Sequence, residues 1–369
     1  MAMPTDHPYL GFLVVCLGLG EGRDQPVSPR RSPKWNWDKL VQTAANEEIL
    51  STMHDALGRL KLIQEVPADV GNLFSTIKEL NYERNELILS DLKSICRLLN
   101  SVGIEPVVLK GAAYLLTGVY PDPATRYLAD LDLLLPASDF SVAIKLLKSQ
   151  GYCCQSAHPV ETIIGNAYPP LFRPHSVEID LHRGLCLGVG GAVLPSSEVL
   201  SSSVLEELDG VRVRIPSPEH LVVHHIVHSQ LHDFYRDRIR PSLRNMYDMV
   251  LLQDRFGDEI DWLSIEKRFR RKRQYAALGL YLRHVESTVG VASPIPIRMT
   301  GLMQLRWWHR AALRRAPGLR WFDPLYLFMA GVKPRTPLRE VLSAPGGWKY
   351  LLAKPFTKNL YARRLAGVR

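Results

Sequence analysis

Asp130 and Asp132 stand two residues apart in A-D-L-D-L, residues 129 to 133, an alternation that a β-strand turns into two carboxylates on one face. Two like charges so placed need a cation, and the pair can hold one or two divalent ions jointly. Residues 177 to 182 read V-E-I-D-L-H. A second strand there would put Glu178, Asp180 and His182 on one face, so either acid could supply a third ligand. Ligation by oxygen alone favours Mg²⁺ or Mn²⁺ over zinc. On spacing alone the rival reading is solvated carboxylates on an edge strand.

Arg126, four residues before the first aspartate, could reach a phosphate oxygen as a fork of donors or pair with Asp122 at the surface. His224, His228 and His232 recur at i, i+4 and i+8 with His225 beside them. That spacing allows a metal site, a cleft-facing His228 or hydrogen-bonded packing. Lys267 to Arg273 holds six basic residues in seven positions, suited to phosphates, anionic lipid or a solvated helix face.

The elements that must position these groups are legible in the hydrophobic pattern. Helical spacing runs from about Trp37 to Leu99, most clearly as Ile88, Leu92, Ile95, Cys96 and Leu99. Pro106 to Leu109 predicts a strand, Gly111 a break, and Ala112 to Leu116 a helix. Tyr120 to Thr125 predicts a loop and Leu128 to Leu135 the strand that carries both aspartates. A helix from Ser138 to Leu147 follows, then strands at Tyr152 to Gln155, Ser176 to His182 and Val211 to Ile215, with Gly184 to Ser203 as a long loop. Ser217 and Pro218 open a further helical stretch that continues to about Val289.

The whole chain bounds the class. Its 369 residues are 46% hydrophobic and 22% charged, with 26 prolines and 25 glycines spread along it, which excludes collagen, coiled coil and solenoid. The apolar run Tyr9 to Leu19 is about half the length a bilayer-spanning helix needs, and predicts a buried helix. Five cysteines without C-x-x-C spacing fit a reducing cytoplasm. The net charge is +9, yet residues 301 to 369 carry fourteen Lys and Arg against Asp323 and Glu340, a local +12. Aromatics from Trp307 to Phe356 are interleaved with that charge, which suits a packed helical subdomain, a nucleic acid or an anionic membrane surface. G-L-G-E-G at Gly18 to Gly22 has the wrong spacing for a dinucleotide loop, and neither a P-loop nor a G-x-S-x-G nucleophile elbow occurs.

V-V-L-K-G-A-A at Val107, Y-P-D-P at Tyr120, R-Y-L-A-D-L-D-L-L at Arg126 and V-E-I-D-L-H at Val177 occur in that order. Together they resemble the uncharacterised nucleotidyltransferase family of the DNA polymerase beta-like superfamily. The resemblance covers about Trp37 to Asp254, with N-W-D-K-L, E-V-P and N-E-L before the core and S-P-E-H-L-V-V-H-H-I-V-H and R-N-M-Y-D-M after it.

The resemblance implies an α+β fold: a polymerase beta-like core with a mixed sheet, flanked by N- and C-terminal helical regions. The expected divisions are 1–34 (apolar segment and connector), 35–100 (helical leader), 101–216 (αβ core), 217–290 (helical region) and 291–369 (basic, aromatic-rich region). It further implies transfer of NMP from an NTP with release of pyrophosphate, using Asp130, Asp132 and Asp180 as catalytic metal ligands for Mg²⁺ or Mn²⁺. Gly111 would let the backbone approach the triphosphate. Where the superfamily usually has Gly-Gly or Gly-Ser, this chain has Lys110, Gly111 and Ala112, so Lys110 would supply charge in place of the missing hydroxyl, with Arg126 beside it. Glu178, His182 and His228 are candidates to line the cleft. The acceptor, whether small molecule, peptide or RNA, is not encoded legibly; a phosphotransferase and a catalytically silent nucleotide-binding scaffold are the alternatives. The expected location is cytoplasmic, with peripheral membrane contact by the basic tail as a variant.

Overall fold

Apolar residues recur at helical spacing through the first hundred positions. The computed structural model, which describes residues 8–19, 35–154, 167–233 and 241–315, folds them as α1 (Pro8–Cys16), α2 (Trp37–Asn46), α3 (Leu50–Arg59) and α4 (Ala68–Asn100). Leu13 and Cys16 of α1 are fully buried. Asn36 caps α2 by accepting from the Lys39 amide at 2.9 Å. Helix α4 is 33 residues long, about 50 Å. Its buried stripe runs through Phe74, Ile88, Leu92, Ile95 and Leu99, but polar Asn81, Asn85 and Asp91 are also buried on it.

The pattern then changes to short strands. In order come β1 (Val107–Val108), α5 (Lys110–Leu116), a 3₁₀ turn at Pro123–Thr125, β2 (Leu131–Leu134), α6 (Phe140–Ser149), β3 (Cys153–Cys154), β4 (Leu171–Phe172) and β5 (Ile179–His182). After them follow α7 (Gly188–Val193), α8 (Ser196–Ser202), β6 (Val204–Leu208) and β7 (Val211–Ile215). The seven strands form one sheet in the order β3-β4-β5-β2-β1-β7-β6. Pairs β2–β5 and β1–β7 are parallel and the other neighbours antiparallel. This is the α+β architecture with a mixed sheet that the resemblance implies.

Beyond the sheet the chain returns to helix: α9 (Pro218–Val227), a π-helical turn at His228–Asp233, α10 (Leu243–Phe256), α11 (Trp262–Arg271) and α12 (Tyr275–Val289). Ser217 caps α9, its hydroxyl accepting from the His220 amide at 3.3 Å, with Pro218 at the first helical position. Arg268, within the basic run, is turned inward to Glu198 and Glu219, whereas Lys267, Arg271, Lys272 and Arg273 are exposed.

Two departures from the sequence pattern have physical causes. Gly184 to Ser203, expected as a loop, contains α7 and α8. Two glycines of α7 serve packing: a Cβ on Gly190 would come within 2.9 Å of Cys186 Cβ, and one on Gly191 within 2.5 Å of the Cys186 carbonyl oxygen. Leu194 and Val199 bury their side chains there. Strand β6 escaped notice because all but its last residue are exposed; it is held by pairing to β7 from Val204↔Ile215 to Leu208↔Val211.

The chain divides into two units, Met1–Arg298 and Met299–Arg369. Of the second, α13 (Gly301–Arg315) is described, capped by Thr300 Oγ1, which accepts from the Met303 amide at 3.3 Å. The tail aromatics from Trp321 to Phe356 and the basic residues among them lie outside the described residues. No helix among the described residues is long and apolar enough to cross a membrane.

Candidate active site

Helix α4 fixes the backbone that leads into both acidic strands. Asn81 Nδ2 donates to the Ala124 carbonyl at 2.6 Å, and Asn85 Nδ2 to the carbonyls of Pro123 and Arg126 at 2.6 and 2.7 Å. Between them, Arg84 donates to the carbonyls of Leu128 and Ala129 at 2.6 and 2.7 Å. On the same helix Asp91 Oδ2 accepts from the Val177 amide at 2.8 Å and the Ser176 hydroxyl at 2.9 Å. The polar residues that interrupt the helix's apolar stripe thus satisfy loop carbonyls and amides that would otherwise be stranded.

With both approaches held, the parallel pairing of β2 and β5 sets Asp132 opposite Asp180 and Leu134 opposite His182. Asp180 and His182, two residues apart, project from the same face of β5. Asp132 is almost fully buried. One ligand atom from each of Asp132, Asp180 and His182 lies within 4.8 Å of the other two. Asp130, one residue before β2, is not among these three, but it lies close enough to feel the charges of Asp132, Lys110 and Asp180. An imidazole thus stands beside the two carboxylates expected to bind the cation.

The charges are unevenly matched. Asp132 Oδ1 takes two partners, Lys110 Nζ at 2.6 Å and His182 Nε2 at 2.7 Å. Burial alone would raise the Asp132 carboxyl, but Lys110 and His182 outweigh it and hold it well below the usual range. Asp180 Oδ1, by contrast, is buried with no hydrogen-bond partner, and neither has His182 Nδ1. Burial and then Asp132 push the Asp180 carboxyl up. Asp130 is pushed up to about 6, first by burial and then by Asp132, with Asp180 and Glu178 adding to it. An orphaned buried carboxylate oxygen beside a nitrogen donor and a second carboxylate is a donor set that fits a divalent cation.

Lys110 opens α5 with φ +51°, in the left-handed region. That conformation is uncommon for a residue with a side chain and is a strain found at functional sites. Its ammonium is raised further above its ordinary range because Asp132, Asp130 and Asp180 outweigh burial. Lys110 therefore lies among the carboxylates in this structure, where the sequence reading has it free for a phosphate. Gly111, read as a place for close backbone approach, is buried under a neighbouring side chain. A Cβ there would come within 2.3 Å of Leu128 Cδ2 and 3.5 Å of Arg126 Nη2.

Arg126 is corrected more sharply. Its guanidinium is buried and grips Asp248 of α10 with two bonds, Nε to Oδ1 at 2.9 Å and Nη2 to Oδ2 at 3.0 Å. A third donor, Nη1, meets the Tyr127 carbonyl. Tyr120 donates its hydroxyl to the same Asp248 Oδ1 at 2.5 Å. The fork is engaged by a buried carboxylate and a carbonyl, so Arg126 braces the approach to β2, and Asp122 is not its partner.

Among the histidines, the sequence singled out His228, which starts the π-helical turn. His224, one turn earlier, is the buried one beside the site: burial, then His228, Lys110 and His182, hold it neutral, well below its ordinary pKa, against the opposing pull of Asp132. The two rings pack edge to face at 6.0 Å. The i, i+4 spacing carried that signal, although it did not say which member faces the sheet.

The site is thus built on a mixed sheet whose adjacent parallel strands bring an aspartate pair together, beside a strand-to-helix turn that carries a lysine. Residues 33–290 match the family model described as uncharacterised nucleotidyltransferase, and the chain belongs to that family, an enzyme class. No curated protein matches the sequence. Similar solved structures include the antibiotic-resistance factor ANT(2'')-Ia, at 14% identity and a TM-score of 0.34 over 55% of this chain and 99% of that one. A nucleotidyltransferase-like antigenic protein of Paracoccidioides brasiliensis matches at 17% identity and 0.36, over 56% of this chain and 94% of that one. The Megavirus polyadenylate synthase matches at 14% and 0.32, over 52% of this chain and 38% of its own.

Proposed function

We propose that the protein transfers a nucleoside monophosphate from an NTP to an acceptor nucleophile. The acceptor's oxygen forms a bond to the α-phosphorus, the bond to the bridging oxygen breaks, and pyrophosphate leaves. Family membership supports the reaction class. The observation that carries the site is the triangle of Asp132, Asp180 and His182 with its orphaned Asp180 oxygen.

Asp132 and Asp180, with Asp130 flanking them, are the residues that would hold divalent cations. Bound there, such cations supply Lewis-acid stabilisation of the attacking and leaving oxygens. The chain's own contribution is preorganisation. Strand pairing and the α4 donors fix the carboxylates before substrate arrives, so no side-chain ordering is required at the moment of reaction. Lys110 brings a positive charge to the turn that, in the superfamily the chain resembles, faces the triphosphate, and its contact with Asp132 keeps that charge at the site beforehand.

The test is incubation of the full chain with each α-³²P-labelled NTP, Mg²⁺ or Mn²⁺ and fractionated cell extract. Label covalently transferred to one fraction, with pyrophosphate released, is the expected result, and Asp132→Asn should abolish it. Release of NDP with γ-label transfer would replace this reading with a phosphotransferase. Absence of transfer under every NTP and fraction would leave a nucleotide-binding role in its place.

A further inference from the structure

We infer that His182 is a nitrogen ligand of the cation this site holds, and that the site therefore selects Mn²⁺ over Mg²⁺. The inference rests on the metal-dependent reading above and adds a ligand and a metal preference to it.

The geometry supplies three corners. Asp180 and His182 share a face of β5, and the β2–β5 register sets Asp132 across from Asp180. His182 Nε2 stands 2.7 Å from Asp132 Oδ1. Donors on adjacent positions of an octahedral ion with bonds of about 2.1 Å lie about 3 Å apart, so the group, with donor atoms mutually within 4.8 Å, needs only small side-chain rotations to converge on one ion.

A purely electrostatic role for His182 is superfluous, because Lys110 already gives Asp132 Oδ1 a full positive charge at 2.6 Å. Two cationic or donor groups thus crowd one oxygen of Asp132 while Asp180 Oδ1 has none. An ion between the three residues removes the imbalance: His182 turns a lone pair to it and Asp180 gains the partner it lacks.

The chemistry then discriminates. Mg²⁺ is hard, dehydrates reluctantly and takes oxygen ligands, whereas Mn²⁺, although it too favours carboxylates in octahedral geometry, belongs to the first-row transition series whose members take nitrogen donors more readily than Mg²⁺ does. Two carboxylates with one imidazole are accordingly a Mn²⁺ set before they are a Mg²⁺ set.

The experiment is a titration of the chelator-treated full chain with Mn²⁺, without nucleotide, followed by electron paramagnetic resonance. Saturable binding is expected, displaced by Mg²⁺ only at roughly a hundredfold excess or more. Pulsed measurement on the bound Mn²⁺ should show a directly coordinated ¹⁴N, replaced by the ¹⁵N pattern when the protein carries ¹⁵N-histidine. This arm needs no variant. His182→Asn should lose the nitrogen coupling and weaken Mn²⁺ binding about tenfold or more. His182→Asp should restore binding while moving the Mn²⁺ to Mg²⁺ preference toward Mg²⁺ by about tenfold. Bound Mn²⁺ without nitrogen coupling, or a coupling that persists in His182→Asn, overturns the inference and leaves the transferase reading intact. Failure of Mn²⁺ and Mg²⁺ to bind at all, with nucleotide or without, would overturn both.

Discussion

Lys110 Nζ lies 2.6 Å from Asp132 Oδ1, so the two aspartates of A-D-L-D-L, alike in sequence, have opposite electrostatic situations. Asp132 is neutralised by Lys110 and His182, whereas at the half-buried Asp130 desolvation and the neighbouring carboxylates outweigh the pull of Lys110. Without metal, removing each charge should have opposite effects. Asp130, raised to about 6 from an unfolded value near 4, contributes stability below that value and loses it as pH rises through 6. At pH 8 with EDTA, Asp130→Asn should therefore raise unfolding free energy, by an amount on the order of 2 kcal/mol. Asp132→Asn strands Lys110 and should lower it, by about 3 kcal/mol. Urea unfolding of both variants checks this; equal shifts in the same direction would contradict the assignment.

Much of this site was legible because strand alternation is a short-range rule. Residues two apart on one strand share a face whatever the rest of the chain does, so Asp180 and His182 could be placed together from V-E-I-D-L-H alone. The rule reaches only as far as the ladder, which begins at Leu131, one residue after Asp130; before it, Arg84 of α4 holds the carbonyls of Leu128 and Ala129. It was also silent on long-range pairing. Asp248 is 122 residues from Arg126, and nothing local to either marks the other, so the sequence offers Arg126 only a phosphate or the nearby Asp122 as its partner. Asp122 in fact accepts from the Ala124 amide and pairs with Lys78. The inward turn of Lys110 rests on a left-handed φ that glycine would announce and lysine does not.

The Arg126 correction is testable because a bidentate buried pair cannot be mimicked by an ammonium. Arg126→Lys should destabilise the protein by about 2 to 4 kcal/mol in the absence of any nucleotide. Asp248→Asn should cost a similar amount, and the double variant less than the sum of the two, as expected for residues in direct contact. A nucleotide ligand would behave otherwise, with unchanged unfolding and a raised KM for NTP.

Gly111→Ala should be destabilising by about 1 to 3 kcal/mol, even though alanine favours a helix over glycine by up to about 1 kcal/mol. The added methyl meets Leu128 Cδ2 at 2.3 Å, and Leu128 is buried and cannot swing to solvent. Shortening the obstacle in Gly111→Ala/Leu128→Val should recover part of the loss. Thermal unfolding of the two single variants and the double variant measures this. Full retention of stability in Gly111→Ala would mean that the glycine is not required by packing.

The last expectation concerns acid stability and involves residues outside the triangle. His225 is buried on α9. Its Nδ1 lies 3.0 Å from the Tyr114 hydroxyl, and its Nε2 lies 2.9 Å from both the Asn245 carbonyl and the Tyr281 hydroxyl. An Nε2–H donated to Asn245 leaves Nδ1 to accept from Tyr114, so the network is satisfied by the neutral ring. Burial pushes His225 down to about 4, against the raising effect of Asp248. The unfolded chain, with histidine near 6.5, binds a proton that the folded chain refuses between pH 6.5 and 4, so stability is complete above 6.5 and falls as pH drops through that window. The loss is on the order of 3 kcal/mol. His224 is depressed in the same direction and adds to the slope. Asp130 and Asp180, both pushed up, act in the opposite direction over the same window, so the His225 contribution is read as a difference. In urea unfolding at pH 7, 6, 5 and 4, His225→Gln should be less stable than the parent at pH 7, and that gap should close as pH falls. A slope identical to that of the parent would show that His225 titrates as it does in the unfolded chain and that the network does not require the neutral ring.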